Sequence, residues 1–180
     1  GYSSAASDVY KRQGIHCGLK KSNLKKDLAL IYSEVPAAAS GMFTKNKVKG
    51  APISISKDHL SNKKAQAIIV NSGNANTCNG TDGLNKAKKM TCLQAKELNL
   101  KADDILVAST GVIGVPLNID AIKSGIPLLT QKLSKEGHDD ASSAIMTTDT
   151  VKKELALEFT IGDKVVTCLL YTSPSPRDCS

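Results

Sequence analysis

The central stretch of the chain is ILVASTGVIGVPL, residues Ile105–Leu117. Ile105–Ala108 is a continuous apolar run that predicts a buried β-strand, and it breaks into small residues at Ser109-Thr110-Gly111. A turn at the end of a buried strand places backbone N–H groups at the edge of the core, where they can stabilise negative charge developing in acyl transfer. The glycines are equally explained by a strand-to-helix turn that needs only their backbone freedom. The stretch alone leaves both interpretations open.

Both ends of the chain look foreign to the rest. Asp8–Gln13 (DVYKRQ) can be encoded by DNA whose reverse complement, read one base later, encodes Cys168–Ser173 (CLLYTS). Two ends of one protein have no physical reason to be reverse complements, whereas the inverted ends of a transposase sequencing adapter are. The sequence therefore predicts adapter-derived, non-native residues at 1–13 and 168–180. The native piece, 14–167, is expected to be cut at both ends.

Composition predicts a soluble, cytoplasmic domain with one core. Without the two ends, the Lys and Arg count falls from 24 to 21, the Asp and Glu count from 17 to 15, and the net charge from +7 to +6. The lysines are scattered with few aromatic residues between them, unlike the stripes of nucleic-acid-binding proteins. No apolar run approaches the roughly 18 residues of a membrane span. We therefore expect no nucleic-acid partner and no membrane.

Metal and nucleotide motifs are missing from the sequence. Three cysteines and three histidines remain in the native piece, without CxxC spacing: Cys17, Cys78, Cys92, His16, His59 and His138. This scatter argues against a zinc site, and sparse thiols fit a reducing compartment. The glycines match neither GxGxxG nor the GK[ST] of a phosphate-binding loop. The sequence thus predicts no metal and no dinucleotide-binding fingerprint.

Hydrophobic periodicity predicts a mixed α/β (α+β) domain. The predicted strands are Asp27–Ser33, Ala37–Thr44, Pro52–Ser56, Ala65–Val70 and Ile105–Ala108, followed by a β-hairpin of residues 155–161 and 164–167. The predicted helices run from Thr81 or Asp82 to about Leu98, from Asn118 or Asp120 to near Gly125, and from Pro127 to about Leu133. Residues 135–140 are expected to form a polar loop.

A long turn rich in asparagine and glycine is predicted for Asn71–Gly80, directly after a buried strand. Asparagine tolerates left-handed backbone and hydrogen-bonds locally, which suits such a turn. The side chains of Asn71, Asn74 and Asn76 either present amides to a ligand or pin a neighbouring loop. The sequence leaves both roles open.

Five segments, in order, resemble one family, the ornithine acetyltransferases or glutamate N-acetyltransferases of arginine biosynthesis. They are Asp27–Ser33 with Gly41–Asn46 (GMFTKN), Ala51-Pro52, Val70–Gly80 (VNSGNANTCNG), Ser109–Gly114 (STGVIG), and Ala144–Thr150 (AIMTTDT) with Lys153. Each is a weak signal alone, but their shared order makes a specific set. The resemblance implies layered sheets flanked by helices, in the fold of a self-cleaving acetyltransferase with an N-terminal nucleophile.

The resemblance also implies a mechanism. The precursor cleaves itself before a threonine, which becomes an N-terminal nucleophile with its own α-amino group as general base. The acetyl group of N-acetylornithine passes to that threonine and then to glutamate, without a cofactor, and some members also accept acetyl-coenzyme A. Thr110-Gly111 matches the family's oxyanion hole, and Thr147 or Thr148 matches its substrate-binding threonine, of which Thr147 is preferred. Asn71–Asn76 would lie near the site without a chemical role.

The chain departs from the family where the nucleophile should be. The family's K-G-x-G-M and A-T-M-L segments, expected shortly after the hairpin, are absent, and Thr167 belongs to the hairpin. We therefore expect part of the first (alpha) chain, truncated before the nucleophile and inactive alone, whose partner is its own C-terminal (beta) chain in an α2β2 assembly. The alternatives are a related self-cleaving aminopeptidase and a non-enzymatic anion-binding module that uses glycine-rich turns and lysines.

Overall fold

The computed structural model describes residues 9–149 and 154–171, and its main element is a four-stranded sheet. The strands are β1 (Tyr10–Ile15), β2 (Leu28–Ala38), β3 (Lys64–Asn74) and β4 (Ile105–Val112), in the order β1-β2-β3-β4. The first two pairings are antiparallel and β3 pairs with β4 in parallel. A separate hairpin consists of β5 (Glu154–Ile161) and β6 (Lys164–Tyr171).

Four α-helices complete the described part of the chain. They are α1 (Ala51–His59), α2 (Gly80–Leu98), α3 (Ile119–Gln131) and α4 (His138–Ile145). In the described ranges, no helix has the length and apolar character needed to cross a membrane.

Alternate residues of the central strands enter two separate cores. Leu28 and Leu30 of β2 join a cluster that includes Met90 of α2 and Ile122 of α3. Ala29, between them, packs on the other face in a cluster with residues of α4. This alternation follows from the two-residue period of a strand. Helices therefore cover both faces of the sheet, and the predicted mixed α/β fold is confirmed.

Several predicted elements are confirmed with altered ends. The Ala65–Val70 strand lies within β3, the long helix ending at Leu98 is α2, and the hairpin is β5–β6. The strand predicted for Ile105–Ala108 continues to Val112, because residues 105–112 pair with β3 throughout. The turn therefore follows Gly111 rather than containing it.

The strand predicted for Pro52–Ser56 is wrong, since these residues lie in helix α1. Proline occupies the first turn of that helix, where its missing N–H costs nothing. Ser56 is buried, and its Oγ accepts from Val107 N at 2.9 Å and donates to Val107 O at 2.6 Å. The alternation of Ile and Ser, which predicted a strand, thus belongs to a helix that packs against β4.

The second predicted strand, Ala37–Thr44, is also wrong. Only Ala37 and Ala38 are extended, and they end β2, which runs past Pro36 through a register shift between Tyr32 and Ala37. Proline cannot donate to the ladder, so it is accommodated where the pairing is irregular. One long, interrupted strand replaces the two expected.

The two helices predicted for residues 118–133 are a single helix, α3, with Pro127 inside it. Asn118 caps this helix, accepting from Ala121 N at 3.1 Å. Gly125 lies inside this helix, where the absence of a side chain allows close packing: a Cβ on Gly125 would lie 2.7 Å from Cys17 Cβ. The polar loop predicted for residues 135–140 is likewise shorter, since α4 begins at His138.

Residues attributed to an adapter contribute to both sheets. Tyr10–Gln13 form the first part of β1, and Cys168–Tyr171 end β6. Strand pairing uses backbone groups that every sequence offers, so the presence of these residues in strands does not show whether they are native. The foreign origin of residues 1–13 and 168–180 stays a prediction. Arg12 is buried, and its Nε and Nη2 atoms have no hydrogen-bond partner within the described ranges.

Candidate functional site

The candidate site lies at the carboxyl ends of the parallel strands β3 and β4. Ser72 pairs with Thr110 and Gly73 with Gly111 in the register of these strands. Parallel strands end at the same edge of a sheet, and open α/β sheets bind ligands at that edge. Thr110 is half-buried and Gly111 exposed, so the pair faces outward from the end of a buried strand.

Backbone contact fixes the two strand ends at this edge. Gly111 has φ +131° and Gly73 has φ +99°, values that side chains disfavour. A Cβ on Gly111 would lie 2.4 Å from the carbonyl carbon of Gly73 and 2.6 Å from Asn74 N. Gly111 is therefore required for the close approach of the strands, whereas Gly73 is favoured by its own positive φ.

Asn71 supports the residue that precedes Thr110. The Asn71 side chain is fully buried, accepts from Ser109 Oγ at 2.5 Å and donates to Asn74 O at 2.9 Å. Burying an amide is costly unless it is hydrogen-bonded. The bond with Ser109 ties β4 to β3, and the bond to Asn74 holds the carboxyl end of β3 itself.

The asparagine-rich segment after β3 is fastened to the segment after β4. Asn74 Nδ2 donates to Val115 O at 3.0 Å, and Asn79 Nδ2 donates to the same oxygen at 2.9 Å. Asn76 Nδ2 donates to Gly83 O at 2.9 Å. These amides thus hold neighbouring backbone, in agreement with the structural alternative for this segment.

Thr147 and Thr148 follow helix α4, whose C-terminal end lies against the same strands. Ser72 Oγ donates to Ala144 O at 2.5 Å, and Ser72 is the direct neighbour of Thr110 in the sheet. Thr147 is half-buried, whereas Thr148 is exposed. The two threonine segments predicted from sequence are therefore brought to one edge of the sheet.

Lys20 is a component of this edge that sequence reasoning missed. Its Nζ donates to Met146 O at 2.6 Å, immediately before Thr147, and to Lys26 O at 2.7 Å. Burial lowers the pKa of Lys20, while the nearby Asp27 carboxylate opposes that shift. No local pattern signals this contact, because Lys20 and Met146 are 126 positions apart.

Asp27 is the buried anion that organises the loop carrying Lys20. Its carboxylate accepts from the backbone N–H groups of four successive residues, at 2.6 Å from Cys17, 3.3 Å from Gly18, 2.8 Å from Leu19 and 2.9 Å from Lys20. His16 Nδ1 lies 3.0 Å from the same carboxylate. Successive N–H groups that converge on one point form an anion-binding nest. Here the protein's own carboxylate fills it.

Burial raises the pKa of the Cys17 thiol, and the charge of Asp27 raises it further. A protonated thiol is a poor nucleophile. Cys17 is therefore unsuited to nucleophilic chemistry at neutral pH. Over the described ranges, no group of three or more His, Cys, Asp or Glu residues is arranged to hold a metal ion.

The fold and this edge define an α/β domain whose polar site lies at the ends of two parallel strands, between two threonine segments. The model of the ArgJ family matches residues 11–170, and the chain belongs to that family. It is 48% identical over 158 residues to the arginine biosynthesis bifunctional protein ArgJ 1 of Clostridium acetobutylicum, covering 88% of this chain and 38% of that protein. ArgJ of Caldanaerobacter subterraneus subsp. tengcongensis is 48% identical over 154 residues, which are 86% of this chain and 38% of the relative. The chain thus spans little more than a third of the length of these relatives.

Two solved structures share the fold. The crystal structure of arginine biosynthesis bifunctional protein argJ from Bacillus halodurans has a TM-score of 0.88 and 36% identity, and the match covers 96% of this chain and 91% of that one. Ornithine acetyltransferase from Mycobacterium tuberculosis, complexed with ornithine, has a TM-score of 0.87 and 30% identity, and the match covers 95% and 92% of the two chains.

Proposed function

We propose that this chain is part of an acyltransferase that passes the acetyl group of N-acetylornithine to glutamate in arginine biosynthesis. The observation that carries the proposal is the pairing of Thr110-Gly111 with Ser72-Gly73 at the strand ends, beside the segment of Thr147. Family membership supports the pathway, since the ArgJ relatives are named for arginine biosynthesis. The substrate class follows the Mycobacterium tuberculosis relative, an ornithine acetyltransferase complexed with ornithine.

The proposed mechanism is ping-pong transfer through an acyl-threonine. A threonine hydroxyl attacks the acetyl carbonyl, the nitrogen of ornithine takes a proton and leaves, and the amino group of glutamate then attacks the acyl-threonine. The Thr110 hydroxyl and the Gly111 N–H would stabilise the oxyanion of each tetrahedral intermediate. The nucleophile is proposed to be a threonine outside this chain, freed by self-cleavage, with its own α-amino group as base.

Thr147 is proposed to bind the substrate in preference to Thr148. Thr147 is half-buried and follows Met146, whose carbonyl is held by Lys20, while Thr148 is exposed. A side chain on anchored backbone loses less entropy on binding, which favours it as a contact. In the full-length parent, Thr147→Val should raise KM for N-acetylornithine more than Thr148→Val does. Equal effects would contradict the preference.

The proposal includes an α2β2 assembly with the C-terminal chain, a cytoplasmic location, and no cofactor beyond acetyl-coenzyme A as an alternative donor. Exposed apolar side chains beside Gly111 support assembly, because monomers rarely leave such residues contiguous. Val112, Ile113 and Val115 are 58%, 62% and 47% exposed. Neither nucleic acid nor membrane is a proposed partner.

The decisive experiment compares acetyl transfer by the full-length parent with and without the Thr110 hydroxyl. Thr110→Ala should lower kcat by about 100- to 1,000-fold, the usual effect of losing one oxyanion donor, whereas Thr110→Ser should retain more activity. Thr81→Ala, in the first turn of α2, is the matched control. This chain alone should show no transfer. Full activity of Thr110→Ala, or turnover by the isolated chain, would contradict the proposal.

The same preparations separate the alternatives. A self-cleaving aminopeptidase would hydrolyse peptides and leave N-acetylornithine intact. An anion-binding module would bind phosphate with steep salt dependence. The nest at residues 17–20 argues against the module, because Asp27 already occupies it.

A further inference from the structure

A cavity lies between the segment of residues 43–49 and helix α1, whose first residue, Ala51, is hydrogen-bonded to Asn76 in the segment that follows β3. Its volume is about 490 Å³. The lining residues are Phe43, Thr44, Lys45, Lys49, Ile53 and Lys57. Cavities of about 300–1,000 Å³ are typical of sites for small molecules and cofactors. The cavity is therefore large enough for a small organic ligand.

Three positive charges surround this cavity without a negative charge to balance them. Lys45, Lys49 and Lys57 line it, and none of them forms an ion pair with a residue in the described ranges. Like charges that face one cavity repel one another. An anionic ligand would relieve that repulsion, and lysine is a common binder of phosphate.

An aromatic and an aliphatic side chain provide the apolar part of the cavity. Phe43 is half-buried, and Ile53 lies one helical turn from Lys57 on α1. The Phe43 ring is packed over Gly41, where an added Cβ would lie 2.9 Å from its Cζ. A fixed ring beside an aliphatic side chain presents a surface on which a flat heterocycle can stack.

The segment that carries two of the lysines is held in place at both ends. Ala39 N donates to Lys63 O at 2.9 Å, and Ala51 N donates to Asn76 O at 3.1 Å. Between them, Asn46 N donates to Thr44 Oγ1 at 3.2 Å and Val48 N donates to Asn46 Oδ1 at 3.0 Å. Such side-chain turns limit the conformations of a loop. The lysines therefore project from a shaped loop.

We propose that this cavity binds a nucleoside diphosphate, with the phosphates on the three lysines and the base against Phe43. Side-chain cations would take the place of the glycine-rich loop of the common nucleotide motifs, neither of which the sequence contains. The test of this inference measures ligand binding and not acetyl transfer, so its outcome is distinguishable from that of the acetyltransferase proposal.

The test is isothermal titration calorimetry of ADP into the full chain at low ionic strength. Lys45→Gln, Lys49→Gln and Lys57→Gln should each weaken ADP binding by about threefold to tenfold, the usual range for a partly exposed charged contact. Lys89→Gln is the matched control, because it removes the same charge from an exposed position on α2. Phe43→Leu should weaken ADP while leaving pyrophosphate binding unchanged. Circular dichroism checks that each variant is folded.

Competing ligands define the results that would overturn the proposal. Adenosine should bind at least tenfold more weakly than ADP, and pyrophosphate should also bind more weakly than ADP. Equal affinity for pyrophosphate and ADP would remove the nucleotide assignment. Tighter binding of a poly-glutamate peptide would make the cavity a site for acidic protein segments instead. Absence of ADP binding, or an equal loss in Lys89→Gln, would refute the site.

Discussion

At the scale of single residues, the proposed oxyanion hole depends on glycine at position 111, because glycine has no Cβ atom. Gly111 and Gly73 approach so closely that a methyl group on Gly111 would lie within 2.4 Å of backbone. Backbone cannot move aside as the end of a flexible side chain can. The position of Thr110 is therefore constrained by its neighbour Gly111.

Gly111→Ala should lower the free energy of unfolding by at least about 2 kcal/mol, because it combines a steric clash with left-handed backbone. Urea denaturation of the chain measures this change. Gly114→Ala is the matched control, since Gly114 also has positive φ (+76°) but its added Cβ meets nothing within 4 Å. The control should lose about 1 kcal/mol. Equal losses in both variants would refute the close approach.

Arg12→Ala is expected to stabilise the chain. The Arg12 side chain is 5% exposed, and its Nε and Nη2 lack partners in the described part of the chain. An unpaired buried polar group costs about 1–3 kcal/mol, so removing it should raise the free energy of unfolding by roughly that amount. A gain would support the foreign origin of residues 1–13, because adapter-encoded residues are not selected to fit a core. A loss would show that Arg12 is well accommodated.

The control for Arg12→Ala is Lys11→Ala on the same strand. Lys11 forms an exposed ion pair with Glu34, and such pairs contribute little to stability. The urea midpoint of Lys11→Ala should therefore stay close to that of the unaltered chain.

At the scale of elements, helix α1 shows where sequence periodicity misleads. The alternating PISIS segment satisfies the rule for a half-buried strand, yet Pro52 fits the first turn of a helix and Ser56 is fully engaged by β4. The long helix α2 was predictable, because its pattern extends over many residues. Only residues 65–70 of β3 were predicted, since the asparagine-rich residues 71–74 that end this strand were expected to belong to a turn. Short segments such as Ala37–Thr44 were not, since tertiary contacts outweigh local preference there.

Ser56→Ala should cost about 1–3 kcal/mol, because it leaves both the N–H and the carbonyl of Val107 without the hydroxyl that pairs them. Thermal and urea denaturation measure the loss. Ser54→Ala, on the same helix with a half-buried side chain, is the matched control and should change stability much less. If the two variants behave alike, the Ser56 contact does not hold α1 to the sheet.

At the scale of the whole molecule, the roles of Thr110-Gly111 and Thr147 stay predictions that rest on their motifs. The structure places both segments at one edge of the sheet. The support beneath them, Lys20 and Asp27, could not be predicted. Their partners lie in backbone that only the folded chain brings near, and a lone lysine or aspartate carries no periodic signal.

The hydrogen bond from Ser72 to Ala144 limits how this edge of the sheet can move. A single hydroxyl on β3 holds the end of α4 at Ala144, while the next strand in the sheet carries Thr110. Displacement of α4 must therefore either break that bond or take β3 with it. Ser72 thus couples the end of α4 directly to the strand beside Thr110, although a long stretch of sequence separates the two threonine segments.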